Sequence, residues 1–182
     1  MAAKSLRRCT SEAPTSEIKE TILMITIKES KTADSRTCGD PTTVTREDLV
    51  ASTVQHIEDV GKGIEFIQGA LGEAIKWHDF DKLTCLDQFH SDFQTGFSEH
   101  RWWDSHKICS RHHLLTDDGI PEDVDLIDVL EFIVDCVMAG MARSGSVYEL
   151  NLPPELLGRA FRNTVDLLKN EVVVEREEAC SE

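Results

Sequence analysis

The sequence has no pair of cysteines at the C-x-x-C spacing of structural zinc sites and dithiol enzymes, although six cysteines occur singly along it. It also has no Walker-type phosphate loop, no G-x-G-x-x-G turn and no G-x-S-x-G elbow. No apolar run approaches the length of a membrane span, and no signal-peptide-like apolar segment follows the first charged residues. We therefore expect reduced thiols, a cytoplasmic location and no membrane partner. A nucleophile pair of Cys109 with His106 stays open, but its spacing does not favour it.

Basic residues are scarce as well. The chain carries 19 Lys and Arg against 34 Asp and Glu, which gives a formal net charge of −15. Its densest basic segment, Lys4 to Arg8, is too short to form a patch that binds a polyanion. We expect no duplex nucleic acid as a partner. The hydrophobic content of 40% in 182 residues is sufficient for the core of one domain.

Three segments divide the chain by composition. Residues 1–44 form a polar extension, interrupted by a β-prone run at 22–27 that predicts a short strand. Met24 offers a second start, so residues 1–23 are expected to contribute nothing to the fold. Residues 45–170 are predicted to form a helical domain, and residues 171–182 an acidic tail that frays after Val174. The fold class is therefore mainly α, with a short β-prone or disordered N-terminal arm.

A long helix is predicted to begin near Thr45, because Thr45 and Asp48 have the spacing of an N-terminal capping box. Its apolar residues recur three and four positions apart, as in the core-facing stripe of a helix: Ile57, Val60, Ile64, Ile67 and Leu71. At about 100° per residue, His56 lies about 20° from Ile67 around the helix axis. This places His56 on the inward-facing edge, either as a core histidine or as a ligand.

Two more helices are predicted, at residues 123–141 and 154–169, and the aromatic residues between 83 and 110 are expected to pack in the core. The first of these helices carries Asp128, Glu131 and Asp135 at spacings of three and four, which puts them on one face. Two readings are about equally supported. The carboxylates could form a narrow solvent stripe, or they could point into a site.

All histidines lie between residues 56 and 113: His56, His78, His90, His100, His106, His112 and His113. Among them, His78-Asp79 places an imidazole beside a carboxylate, and Lys82 follows three residues later. Imidazole with carboxylate is a ligand set for Mn, Fe, Ni, Co, Zn or Mg. Such an ion activates water and neutralises phosphate charge, and Lys82 could hold a phosphate oxygen. We expect one or two divalent ions, and we assign His90 and His100 to the surface.

The order of His56, His78-Asp79 and a later helical Asp resembles the HD superfamily of metal-dependent phosphohydrolases, which have an all-helical fold. The stretch from His78 to Lys82 is similar to the HD-x-x-K form of its phosphodiesterase branches. The resemblance implies an HD-domain-like helical bundle in which His56, His78 and Asp79 are metal ligands. It implies Asp135 or Asp128 as the fourth ligand, with the other in the surrounding shell.

The same resemblance implies roles for further residues. Asp79, Lys82 and Arg111 would be catalytic, and a second metal or the substrate phosphate would be bound by His106, His112, His113 and Glu131. Residues 24–174 are also similar to a phage-encoded family of unassigned function, which has a W…H…RHH segment and an acidic helix like residues 125–131. A phage origin would make the compartment the host cytoplasm.

The predicted function is hydrolysis of a phosphomonoester or phosphodiester of a nucleotide-like small molecule. Two alternatives belong to other classes. An acidic, non-enzymatic accessory protein could occupy a basic surface of a host protein, and a degenerate HD domain could bind a nucleotide without cleaving it. A homo-oligomer also stays open, since the apolar final helix could pack within or between protomers.

Overall fold

The computed structural model describes residues 24–30 and 39–176. The prediction of a mainly α-helical chain is confirmed. Six helices and two short strands follow one another: β1 (Ile25–Lys28), α1 (Arg46–Trp77), α2 (Phe80–Thr84), α3 (Leu86–Gln94), α4 (Arg101–Cys109), α5 (Leu126–Ser144), α6 (Pro154–Glu171) and β2 (Val172–Glu175). Within these described ranges, no helix combines the length and the apolar character that a bilayer crossing requires.

The described residues form two compact units. The first contains residues 71–165, and the second contains residues 24–30, 39–70 and 166–176. In the first unit, residues of α5, of α6 and of the segment before α5 form a buried apolar cluster: Leu114, Val124, Val129, Leu156 and Ala160. Burial of these side chains provides the main stabilisation of this unit.

Helix α6 also fixes the loop before α5 through polar contacts. The Asn163 amide donates to the carbonyls of Glu122 (2.8 Å) and Val124 (2.7 Å), and the hydroxyl of Thr164 accepts from the backbone N–H of Leu126 (2.9 Å). Asp125 caps α5 in a capping box with Asp128. The start of α5 is therefore held from two sides.

Aromatic residues between 83 and 110 connect α3 to α4, but they pack in the core only in part, since Phe93 is 64% exposed. Trp102 is buried, and its ring lies 4.4 Å from that of Phe89 and stacks at 4.5 Å on the ring of His106. The buried carboxylate of Asp92 in α3 accepts from the backbone N–H groups of Trp102 (2.8 Å) and Trp103 (3.0 Å). These two hydrogen bonds satisfy two N–H groups in the first turn of α4 and so fix where α4 begins.

In the second unit, β1 and β2 pair in parallel, with Ile25 opposite Val172 and Lys28 opposite Glu175. The first strand overlaps the run predicted at 22–27 and extends one residue beyond it to Lys28, whereas residues 22 and 23 lie outside the described residues. The second strand falls in the segment assigned above to the acidic tail, and it keeps its pairing through Glu175. The β-branched run 172–174 is the signal for it.

Helix α1 begins as the sequence predicts. The Thr45 hydroxyl accepts from the N–H of Asp48 (3.1 Å), and the Asp48 carboxylate accepts from the N–H of Thr45 (3.1 Å). The predicted inward stripe, however, is largely exposed: Ile57 is 63% and Ile64 is 55% exposed. His56 is exposed with it, so its expected inward orientation is wrong. Periodicity shows that a helix has an apolar face but does not show what covers that face.

Candidate metal centre

The centre begins where α1 ends. Helix α1 stops at Trp77, and Asp79 has the left-handed backbone conformation φ 54° and ψ 15°. Aspartate is one of the few residues that adopt this conformation readily. The chain turns there into α2, and the side chains of His78, Asp79 and Asp81 project close to one another and to residues 106–113.

Glu131 of α5 holds two of the imidazoles. Its Oε1 lies 2.9 Å from Nδ1 of His78 and 3.1 Å from Nδ1 of His112. An ionised carboxylate only accepts hydrogen bonds, so these contacts favour a proton on Nδ1 of both rings. In a neutral ring of that form, the lone pair that could bind an ion is on Nε2.

His106 has the same arrangement with a different carboxylate. Its side chain is completely buried, and its Nδ1 lies 2.9 and 3.0 Å from the two carboxylate oxygens of Asp81. The hydroxyl of Ser110 lies 3.0 Å from the same Nδ1. A carboxylate behind a histidine is the usual support for a histidine that ligates a metal through its other nitrogen.

The Nε2 atoms of these three histidines converge on Asp79. Its Oδ1 lies 3.4 Å from Nε2 of His106 and 3.6 Å from Nε2 of His112, and its Oδ2 lies 3.6 Å from Nε2 of His78. The Nε2 atoms of His106 and His113 are 2.9 Å apart. Ligands bonded to one ion at about 2.0–2.2 Å lie about 3.0–3.6 Å from each other. The observed spacings match that range closely.

Three overlapping groups of side chains could each hold an ion. The groups are His78 with Asp79 and His112, Asp79 with Asp81 and His106, and His106 with His112 and His113. Asp79 is shared by two of them. Its Oδ1 is buried and has no hydrogen-bond partner among the described residues, which is an unfavourable state for a carboxylate oxygen unless a cation lies beside it.

The electrostatics keep the carboxylates charged and one ring neutral. Burial acts to raise the pKa of Asp79, but the hydrogen bond and charge of Lys82 outweigh it and hold that pKa below its usual value. Burial likewise acts to raise the pKa of Glu131, and the hydrogen bonds from His112 and His78 bring it below its usual value. Burial is the largest of the causes that lower the pKa of His113 to about 3. His113 is therefore neutral near pH 7.

Arg111 and Asp128 lie beside the centre but bind each other. The guanidinium donates from Nε and Nη2 to the two carboxylate oxygens of Asp128, each at 2.6 Å, and from Nη1 to Asp123 at 3.0 Å. Burial acts to lower the pKa of Arg111, but the hydrogen bonds and charge of Asp128 raise it above its usual value. This bidentate pair ties the segment that carries His112 and His113 to the start of α5.

The structure brings most of the predicted site residues together: His78, Asp79, Lys82, His106, His112, His113 and Glu131. Of the two candidates for the fourth ligand, Asp128 faces Arg111, whereas Asp135 lies 3.7 Å from Nε2 of His78. His56 lies on α1 in the other unit, and His90 and His100 are exposed.

Sequence reasoning missed Asp81, Ser110 and the pairing of Arg111. Asp81 is spaced two residues from Asp79, and that short spacing of carboxylates was the available signal. The partner of each carboxylate depends on contacts between segments that are distant in sequence. Comparison with protein-family models, with curated proteins and with solved structures finds no match to this chain.

Proposed function

We propose that the chain is a divalent-metal-dependent phosphohydrolase acting on a phosphomonoester or phosphodiester of a nucleotide-like small molecule. The observation that carries this proposal is the buried Oδ1 of Asp79, which lies within 3.6 Å of the Nε2 atoms of His106 and His112. A buried charged oxygen without a partner costs on the order of 1–3 kcal/mol or more. A cation at this point removes that cost.

The donor set supports one or two ions. Mixed imidazole and carboxylate ligands suit Mn, Fe, Ni, Co, Zn or Mg. Asp79 belongs to two of the three candidate groups, so it could serve either one ion or two. The resemblance of His78-Asp79 and Lys82 to the HD-x-x-K pattern supports the same assignment.

When bound, the ion lowers the pKa of coordinated water towards neutrality and offsets the charge of a phosphate. Lys82 is the group of this chain that would hold the phosphate. Its Nζ donates to Oδ2 of Asp79 and its side chain is 35% exposed, so the ammonium group, which has three N–H donors, could also reach a phosphate oxygen. Arg111 would contribute by positioning the segment that carries His112 and His113, because its guanidinium donates to Asp128 and Asp123. We infer a cytoplasmic setting, that of the host cell if the resemblance to a phage-encoded family reflects the chain's origin.

Elemental analysis combined with a turnover screen tests the proposal. The full chain is reconstituted with Mn²⁺, Co²⁺, Ni²⁺, Zn²⁺ or Mg²⁺ and assayed with p-nitrophenyl phosphate, bis-p-nitrophenyl phosphate and a nucleotide panel. We expect stoichiometric metal and metal-dependent release of phosphate or p-nitrophenol. His78→Ala and Asp79→Asn should lower metal content and reduce turnover by at least about 100-fold.

His90→Ala is the matched control, because it removes an exposed histidine of α3 that lies outside the three groups. It should retain wild-type metal content and turnover. The proposal fails if the reconstituted protein holds no metal, or if Asp79→Asn and His90→Ala behave alike.

A further inference from the structure

A cavity of about 300 Å³ opens beside the candidate metal centre, within the unit of residues 71–165. His112 and His113 form the part of its lining that it shares with the centre. Its volume is at the lower end of the range for small-molecule sites. A ligand whose phosphate lies at the metal centre could therefore extend into this cavity.

The walls of the cavity are apolar and fixed. Leu114 belongs to the buried apolar cluster, and Phe132 and Leu152 pack against that cluster. Such walls favour a flat, uncharged group, because that group loses little hydration and gains contact area. They do not favour a phosphate.

Two polar side chains complete the lining, and they come from one short segment. Glu149 and Asn151 both line the cavity. A carboxylate only accepts hydrogen bonds and repels a phosphate, whereas a side-chain amide both donates and accepts. Together they match an organic group that presents N–H donors beside a carbonyl oxygen.

The position of this segment is set by a close backbone approach. A Cβ placed on Gly140 of α5 would lie 2.5 Å from the carbonyl oxygen of Ser146 and 2.8 Å from the backbone nitrogen of Tyr148. Only glycine permits this contact. The chain just before Glu149 is thereby held against α5, and the exposed residues Glu149 and Asn151 follow it at the edge of the cavity.

We propose that this cavity binds the base of a nucleotide, and that Glu149 selects a base with adjacent N–H donors, as on the Watson–Crick edge of guanine. The inference rests on the proposed function in one respect, since it takes the phosphate to lie at the metal centre. Glu149 accepts from the ring N–H and the exocyclic amino group of guanine, and the Asn151 amide donates to its carbonyl oxygen. Uracil and adenine do not present that combination.

Nucleoside binding tests this assignment without the metal centre. The full-length chain, freed of metal with EDTA, is titrated with guanosine, adenosine, cytidine and uridine. Binding is followed by calorimetry and by NMR shifts of Leu115 and Asn151, which both line the cavity. We expect guanosine to bind at least about 10-fold more tightly than adenosine or uridine, as one bidentate pair provides. Glu149→Gln should remove this preference.

Glu155→Gln is the matched control, since Glu155 is an exposed residue in the first turn of α6 outside the cavity. It should leave the guanosine preference unchanged. The assignment is overturned if no nucleoside binds, if the four bind equally, or if Glu149→Gln keeps the preference. Guanosine selectivity without hydrolysis supports the cavity assignment and counts against the proposed function. Hydrolysis without base selectivity supports the proposed function and overturns the cavity assignment.

Discussion

Asp79 combines three structural features. It turns the chain in a left-handed conformation, bonds Lys82 through Oδ2, and leaves the buried Oδ1 facing the imidazoles of His106 and His112. A left-handed conformation at a residue other than glycine is uncommon and clusters at functional sites. The backbone and the side chain of this one residue therefore point to the same role.

Glu131 is the residue that we expect to position two ligands without touching the ion. Glu131→Gln keeps an oxygen that can accept from His78 and His112 but removes the negative charge behind both rings. We predict that the dissociation constant for Zn²⁺ or Mn²⁺ rises by about 10–100-fold, as for other carboxylates behind metal-bound histidines. Calorimetric titration of the metal-free protein measures it.

Two comparisons distinguish a specific loss of metal affinity, caused by the change at Glu131, from a general loss of folding. Glu65→Gln changes an exposed glutamate of α1 and should leave metal affinity unaltered. The positioning role is refuted if Glu131→Gln binds metal as tightly as wild type, or if its loss of affinity is matched by global unfolding in the far-UV spectrum.

Part of this centre could be predicted from the sequence, because His78, Asp79 and Lys82 lie within five consecutive residues. The exposure of His56 could not be predicted from the sequence. Its position around α1 follows from helix geometry, but whether that face is buried depends on tertiary packing. The same limit applies to Asp128, whose partner Arg111 comes from 17 positions away.

The loop between α4 and α5 is joined to α5 by Arg111. Arg111→Lys keeps the positive charge but loses the bidentate hydrogen bonds to both carboxylate oxygens of the buried Asp128. We predict a loss of about 1–3 kcal/mol in the free energy of unfolding, measured by urea denaturation. Arg101→Lys, at a side chain that is 86% exposed, should change it by less than about 0.5 kcal/mol. Equal effects of the two changes would contradict a structural role for the pair.

Gly140 governs the contact between α5 and the segment that follows it. Gly140→Ala inserts a methyl group 2.5 Å from the Ser146 carbonyl oxygen, so the backbone must shift. We predict a destabilisation of about 1–3 kcal/mol, as for other overpacked positions, together with shifted NMR signals at Glu149 and Asn151.

A gain in stability, and not a loss, is expected at Gly63 in the interior of α1, where an added Cβ meets nothing within 4 Å. Gly63→Ala should stabilise the chain by about 0.5–1 kcal/mol, since alanine is the better helix former. If both alanine variants stabilise, the close approach at Gly140 is not a constraint.

The helices were predictable to within a few residues where the signals are local. The capping box of Thr45 and Asp48 marks the start of α1, and Pro154 begins α6 as expected. The predicted start of α5 at 123 is three residues early, because Asp125, and not Asp123, makes the cap. The pairing of β1 with β2 joins segments at opposite ends of the chain, so no local pattern could reveal it.

Metal binding should stabilise the whole chain. A ligand that binds only the folded state adds RT ln(1 + [L]/Kd), which is about 2.7 kcal/mol when the metal concentration is 100 times Kd. We predict that Zn²⁺ or Mn²⁺ raises the thermal midpoint of the wild type and that EDTA reverses the shift in differential scanning calorimetry. Asp79→Asn should show little shift with the same metal. A metal-induced shift of equal size in both proteins would indicate binding elsewhere on this acidic surface.

The net charge of −15 bears on the same question. It attracts divalent cations and repels phosphate esters at long range, and both effects weaken as salt screens them. An anionic substrate is therefore expected to bind well only after the ion has been loaded.

The single carboxylate oxygen shared by His78 and His112 also has a consequence for how that loading proceeds. A neutral ring in the Nδ1–H form that this contact favours would present its Nε2 lone pair to an arriving ion without first losing a proton.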